Sequence, residues 1–132
     1  MAWEINEGAY DGNLFINFIN GHLKHYFEGR PQSILVMDNC AFHLRRDVIG
    51  LLETLGILYQ FLPPYSPQLN PIEEYFGCLK SIYSSLRPAP SNSIQLRRTI
   101  EQSISNVSVS FDGWYRHMRA WVEKGIARQI FD

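Results

Sequence analysis

The chain has 132 residues, 45% of them apolar and 19% charged, a composition that suits one small globular domain and excludes a disordered segment. Its net charge of −1 carries no overall basic signature, so composition alone does not mark a nucleic-acid binder. Cys40 and Cys78 form no CxxC pair, no apolar run approaches the ~20 residues that span a bilayer, and no signal-peptide pattern opens the chain, which together predict a soluble intracellular protein.

From Asn13 to Phe27, the residues Leu14, Phe15, Phe18, Ile19, Leu23, Tyr26 and Phe27 recur at helical spacing, and Gly29 with Pro31 ends that helix. Ser33 to Met37 reads as a short buried strand that gives way at once to Asp38 and Asn39. Leu44, Val48, Leu51, Leu52 and Leu55 mark a second amphipathic helix closed by Gly56, and Ile57 to Leu62 reads as a second buried strand. Pro63, Pro64, Pro67 and Pro71 follow within nine residues; proline fixes φ and removes donors, so this stretch is expected to be an extended, stiff connector. Ile72, Tyr75, Phe76, Leu79, Ile82, Tyr83 and Leu86 then set a third helix, broken by Pro88 and Pro90. A weaker helix (Leu96, Ile100, Ile104, Val107) and a stronger one (Phe111, Trp114, Tyr115, Met118, Trp121, Val122) complete the chain. Helix–strand–helix–strand–helix calls for an α/β layer fold.

Two carboxylates stand out by position. Asp38 lies just past a strand, where side chains of an open α/β sheet face the ligand crevice. Glu73 lies in the first turn of the helix after the next strand, which places it at the same sheet edge. Paired carboxylates on adjacent elements suit Mg²⁺ or Mn²⁺, which take oxygen ligands and leave the remaining positions to water and phosphate. Charge is also uneven: residues 1–86 carry 5 Lys/Arg against 9 Asp/Glu, whereas residues 87–132 carry 7 against 4. An acidic front and a basic tail fit a metal site followed by a phosphate-facing surface, and fit ordinary solvated helices equally.

The segments ILVMDNCAFH and YQFLPPYSPQLNPIEEYFGCLKSIY resemble the second and third acidic motifs of the mariner superfamily of transposases. Thirty-four residues separate Asp38 from Glu73, and that interval, with Glu at the third position, is similar to the Tc-one branch. The motifs run from about Ile34 to Tyr83. The resemblance implies a ribonuclease H-like fold in which Asp, Asp and Asp/Glu of an intact relative hold two Mg²⁺ or Mn²⁺ ions to cut and rejoin DNA, with that metal binding expected to be weak or absent here. Here Asp38 and Glu73 take the second and third positions as catalytic and metal-binding residues, while Asn39 and His43 match the family pattern as supporting residues. The family's first Asp has no counterpart: Glu7 and Asp11 are the nearby acidic residues, and neither follows an apolar strand. The fold is therefore expected to be an incomplete ribonuclease H-like domain without its leading strands, with a partial catalytic core over residues 1–90 and a C-terminal helical extension over 91–132. Little nuclease activity is expected from the chain alone. Its partner is DNA, met through Lys80, Arg97, Arg98, Arg116 and Arg119, with a second copy or a full-length transposase as a further partner and no small-molecule cofactor. The location implied is the nucleus in a eukaryote and the cytoplasm otherwise.

Plainer readings stand beside these. Asn70, Pro71 and Glu73 have the spacing of a capping box, in which Glu73 reaches back to the N–H of Asn70. Asp38 and Asn39 suit an Asx turn. His43 near the start of a helix suits a local hydrogen bond, and Glu74, about 100° around the helix from Glu73, suits solvent. Lys80 returns to the face of Glu73 and suits either a phosphate or a carboxylate partner. Tyr65 suits base stacking or packing on the proline connector, and the Phe111–Trp121 stripe suits core or a subunit contact. A non-catalytic DNA-binding or transposase-associating chain is the alternative function.

Overall fold

Asp11 decides where the first helix starts. Its carboxylate accepts from the backbone N–H groups of Asn13 and Leu14, both at 2.9 Å, and α1 (Gly12–Phe18) begins there. In the computed structural model, which describes residues 2–107 and 111–127, α1 runs into a π-helical turn (Ile19–Leu23) and then α2 (Lys24–Phe27). The π turn is closed by Lys24 N–H donating to the Ile19 carbonyl. Residues 108–110 and 128–132 of the expected C-terminal extension lie outside the described residues. The remaining elements are β1 (Ile34–Met37), α3 (Arg46–Thr54), β2 (Leu58–Phe61), a 3₁₀ turn (Pro67–Leu69), α4 (Pro71–Ser85), α5 (Ser93–Asn106) and α6 (Phe111–Ile126). The chain divides into two compact units, one ending at Tyr65 and the other beginning at Ser66.

In the first unit β1 and β2 pair in parallel, with Ile34 opposite Leu58 and Met37 opposite Phe61. Parallel neighbours need a crossover, and α3 supplies it. Gly56, at φ +67°, ends α3 in the left-handed region that glycine enters without steric cost. Phe15, Ile19, Met37, Val48, Leu52 and Ile57 form the core, and burying side chains of this size contributes about 1.5–3 kcal/mol each. The strands are half-buried rather than buried as their apolar sequences predict. Ile34 (55% exposed), Val36 (48%) and Leu58 (51%) look outward, while Met37 (4%) looks in. The helices α1 and α3 give the core to one face of the sheet, and Ile34, Val36 and Leu58 on the other face are exposed.

The proline-rich stretch is not extended throughout. Tyr65 takes a positive φ of 54° and is fully exposed, and Pro67–Leu69 then closes a 3₁₀ turn through Asn70 N–H donating to the Pro67 carbonyl at 2.9 Å. Proline at the first position of that turn has its φ preset for it. In the second unit Asn70 caps α4, its side chain accepting from Ile72 N–H at 3.4 Å. Tyr75 is the buried residue of α4; Phe111 stacks on it at 5.7 Å and Trp114 meets it edge-on at 6.2 Å. The aromatic stripe of α6 is thus packed at its N-terminal end, while Tyr115 and Val122 remain exposed.

Candidate functional site

Asp38 sits where β1 has just ended. Leu62 N–H donates to the Met37 carbonyl at 2.8 Å, and the Asn39 side-chain amide donates to the Leu62 carbonyl at 2.6 Å. Both backbone groups of Leu62 are therefore spent holding the two strand ends together, with Asp38 at the tip. Asn39 thus serves the strand ends rather than Asp38 directly.

The Asp38 carboxylate is itself tethered. Its Oδ1 accepts from Cys40 N–H at 3.0 Å, which is the Asx turn its position predicts, and from His43 Nδ1 at 2.9 Å. Its Oδ2 has no protein partner among the described residues. The Asp38 side chain is 54% exposed, whereas that of His43 is only 17% exposed. Phe15 and Phe42 hold the His43 ring at centroid distances of 4.7 and 4.5 Å. His43 lies in the turn before α3 rather than on the helix, because α3 begins three residues later at Arg46. The turn is closed by His43 N–H donating to the Cys40 carbonyl at 2.9 Å.

Residues just beyond the turn lock it to α1. Arg45 donates from Nε to Asp47 at 3.0 Å and from Nη2 to Asn13 at 3.1 Å. That pairing holds the Asp47 carboxyl below the usual carboxylate range and pushes Arg45 up. A Cβ at Gly12 would lie 2.5 Å from Arg45 Cδ, so this glycine leaves room for the arginine.

Glu73 lies in the second unit, in the first turn of α4, and is exposed. The capping box is not formed: the Asn70 N–H that Glu73 would reach is already bonded to the Pro67 carbonyl. No described partner occupies the Glu73 carboxylate. Glu74, expected to be solvated, instead bonds His117 Nδ1 at 2.6 Å and so ties α4 to α6. No local spacing signals that pair, since 43 residues separate its members.

Lys80, Arg98, Arg116 and Arg119 are exposed and enter no ion pair among the described residues, whereas Arg97 pairs with Glu101 at 3.3 Å. All five cations belong to the second unit.

Asp38 and Glu73 are each oxygen donors of the kind a hard divalent cation takes, and each is exposed and keeps an oxygen without a partner among the described residues. Among the described residues no three His, Cys, Asp or Glu side chains group closely enough to hold a metal ion.

The family model described as DDE superfamily endonuclease matches residues 1–97, a span that includes both Asp38 and Glu73. The chain belongs to that family. No curated protein matches the chain. As a DDE superfamily endonuclease it is a nuclease-type domain acting on DNA, in a superfamily that generally depends on divalent metal. Its mixed helices and two-stranded parallel sheet are consistent with an α/β nuclease domain. No helix among the described residues is long and apolar enough to cross a membrane.

Proposed function

We propose that this DDE endonuclease domain is the catalytic part of a cut-and-paste DNA transposase of the mariner superfamily, Tc-one-like branch, on a ribonuclease H-like fold. The observation that carries the reading is the strand-end Asp38 followed, after a 34-residue interval, by the NPIE helix start at Glu73, both inside the family match. Asp38 and Glu73 are the metal ligands in this reading, and Mg²⁺ or Mn²⁺ is the cofactor, held as two ions in intact relatives and expected to bind weakly or not at all in this chain, which has no match to the first acidic motif. When bound, the cation supplies Lewis-acid activation of water or a DNA 3′-hydroxyl and neutralises charge at the phosphodiester. The protein's own part is positioning: the Leu62 bonds hold the strand tip, the turn at Cys40–His43 orients Asp38, and Asn70 starts α4 so that Glu73 falls in its first turn. Residues 1–90 carry this core and 91–132 a helical extension, of which Arg97, Arg98, Arg116 and Arg119, with Lys80, face the DNA backbone.

The 132-residue chain alone is expected to have little or no nuclease activity. No Asp before Asp38 matches the first acidic motif, and the carboxylate of Asp11 is committed to capping α1. A second reading, a DNA-binding or transposase-associating protein without chemistry, is favoured by Lys80, Arg98, Arg116 and Arg119, which are exposed and enter no ion pair among the described residues. Its setting, like that of any DNA transposase, is the nucleus of a eukaryote or the cytoplasm otherwise.

Calorimetric titration of Mn²⁺ into the wild type, Asp38→Ala and Glu73→Gln tests the reading. Weak but saturable binding that both substitutions abolish would support the assignment. Wild-type protein that takes up no Mn²⁺ would overturn the metal assignment and leave the second reading. A nicking assay with Asp38→Ala as control checks the low activity, and robust Asp38-dependent cleavage would contradict it.

A further inference from the structure

We infer that His43 is a positioning residue that fixes Asp38 as a one-oxygen ligand, occupying Oδ1 and leaving Oδ2 to the cation. The inference rests on the metal reading for Asp38 and adds which oxygen is offered and what holds it.

The hydrogen-bond chemistry allows one arrangement. His43 Nδ1 lies 2.9 Å from Asp38 Oδ1 and 3.3 Å from the Asp38 carbonyl oxygen, and both are acceptors. Nδ1 therefore carries a proton in either charge state of the ring, and in the neutral ring Nε2 is the bare nitrogen. Oδ1 receives a second donor, Cys40 N–H at 3.0 Å. With two donors on one oxygen and none on the other among the described residues, the carboxylate cannot turn about Cβ–Cγ without losing both bonds. The exposure contrast agrees: the ring is 17% exposed and gripped by Phe15 and Phe42, while the carboxylate it holds is 54% exposed. A ring fixed by packing, donating to a carboxylate that faces solvent, is the arrangement by which outer-shell groups orient a metal ligand.

Ring packing and the Nδ1 donor can be separated by substitution. His43→Phe keeps an aromatic ring between Phe15 and Phe42 and has no donor. His43→Asn loses the ring but places an amide nitrogen at the reach of Nδ1. Far-UV circular dichroism establishes that both variants fold, and Mn²⁺ calorimetry then reads the site. His43→Phe is expected to bind Mn²⁺ about 10–100-fold more weakly than wild type, the usual cost of losing an outer-shell partner. His43→Asn is expected to retain most of the affinity. His43→Phe binding as well as wild type overturns the inference and leaves His43 a packing residue.

A second measurement needs no metal. Long-range ¹H–¹⁵N spectra of the histidine rings, recorded above the ordinary imidazole range, should show the His43 Nδ1–H tautomer in wild type and its weakening in Asp38→Ala. The opposite tautomer overturns the inference whether or not the protein binds metal. If wild type shows the Nδ1–H tautomer yet takes up no Mn²⁺, the metal reading fails, and with it the role of Oδ2, while the ring–carboxylate bond stands.

Discussion

Asn39 shows how much of this site depends on single polar atoms. Its side-chain amide donates to the Leu62 carbonyl at 2.6 Å across 23 residues of chain, and Leu62 N–H answers to Met37. Removing the donor by Asn39→Ala is expected to cost about 1 kcal/mol, the net worth of a typical intramolecular hydrogen bond. Asn39→Asp should cost more at neutral pH, because it sets a carboxylate oxygen against the Leu62 carbonyl, and the excess should shrink as the carboxylate is protonated. Urea unfolding of the two variants checks this, and equal stability of Asn39→Asp and wild type would refute it. The sequence marks Asn39 as a residue beside Asp38 and suggests a turn or an orienting role. It gives no means of finding Leu62, because the partner comes from the parallel register of β2. The Asx turn at Asp38, by contrast, is local and was legible from residue type and position alone.

At the level of elements, the helices and strands fall close to where the apolar spacing puts them. What the spacing misjudges is cover: ILVM and LYQF read as buried, yet each turns alternate residues outward. Composition reports that a strand is apolar and does not report how many faces of its sheet are packed. The proline stretch was misjudged for a related reason, since proline favours both an extended chain and the first residue of a tight turn. The junction ahead of α3 offers a test in which pH is the variable. Arg45 bonds Asp47 and reaches Asn13 on α1, and the Arg45 hydrogen bond depresses the Asp47 carboxyl. A carboxyl with a folded-state value below its unfolded one adds stability above the unfolded value and loses it as pH falls through the folded one. Asp47→Asn should therefore be less stable than wild type at neutral pH, with the difference closing in acid. Thermal melts of both proteins from neutral pH downward would show it, and a gap that stays constant would count against Arg45–Asp47 as its source.

Across the whole chain, both units mix acidic and basic residues, with 4 Lys/Arg against 7 Asp/Glu up to Tyr65 and 8 against 6 from Ser66 on, so the functional argument rests on individual cations rather than on net charge. Lys80, Arg98, Arg116 and Arg119 lie in the second unit, as the proposed ligand Glu73 does, and are exposed and without an ion pair among the described residues. Cations that meet phosphates release counterions, so the logarithm of DNA affinity falls with the logarithm of salt, with a slope near −0.9 per contact on duplex DNA. If Arg116 and Arg119 each take one phosphate, the Arg116→Ala, Arg119→Ala double variant should flatten that slope by about 2 and weaken binding equally on unrelated duplexes. Arg97→Ala should matter less, because Glu101 already draws on its charge. Asp38→Ala should leave the slope untouched, since a metal ligand adds no phosphate contact of its own. Fluorescence anisotropy over a salt series on two duplexes of different sequence measures all of this in a buffer without divalent ions. A slope unchanged in the double variant would remove α6 from the DNA surface and return its arginines to the plain solvated face that charge pattern alone equally allows.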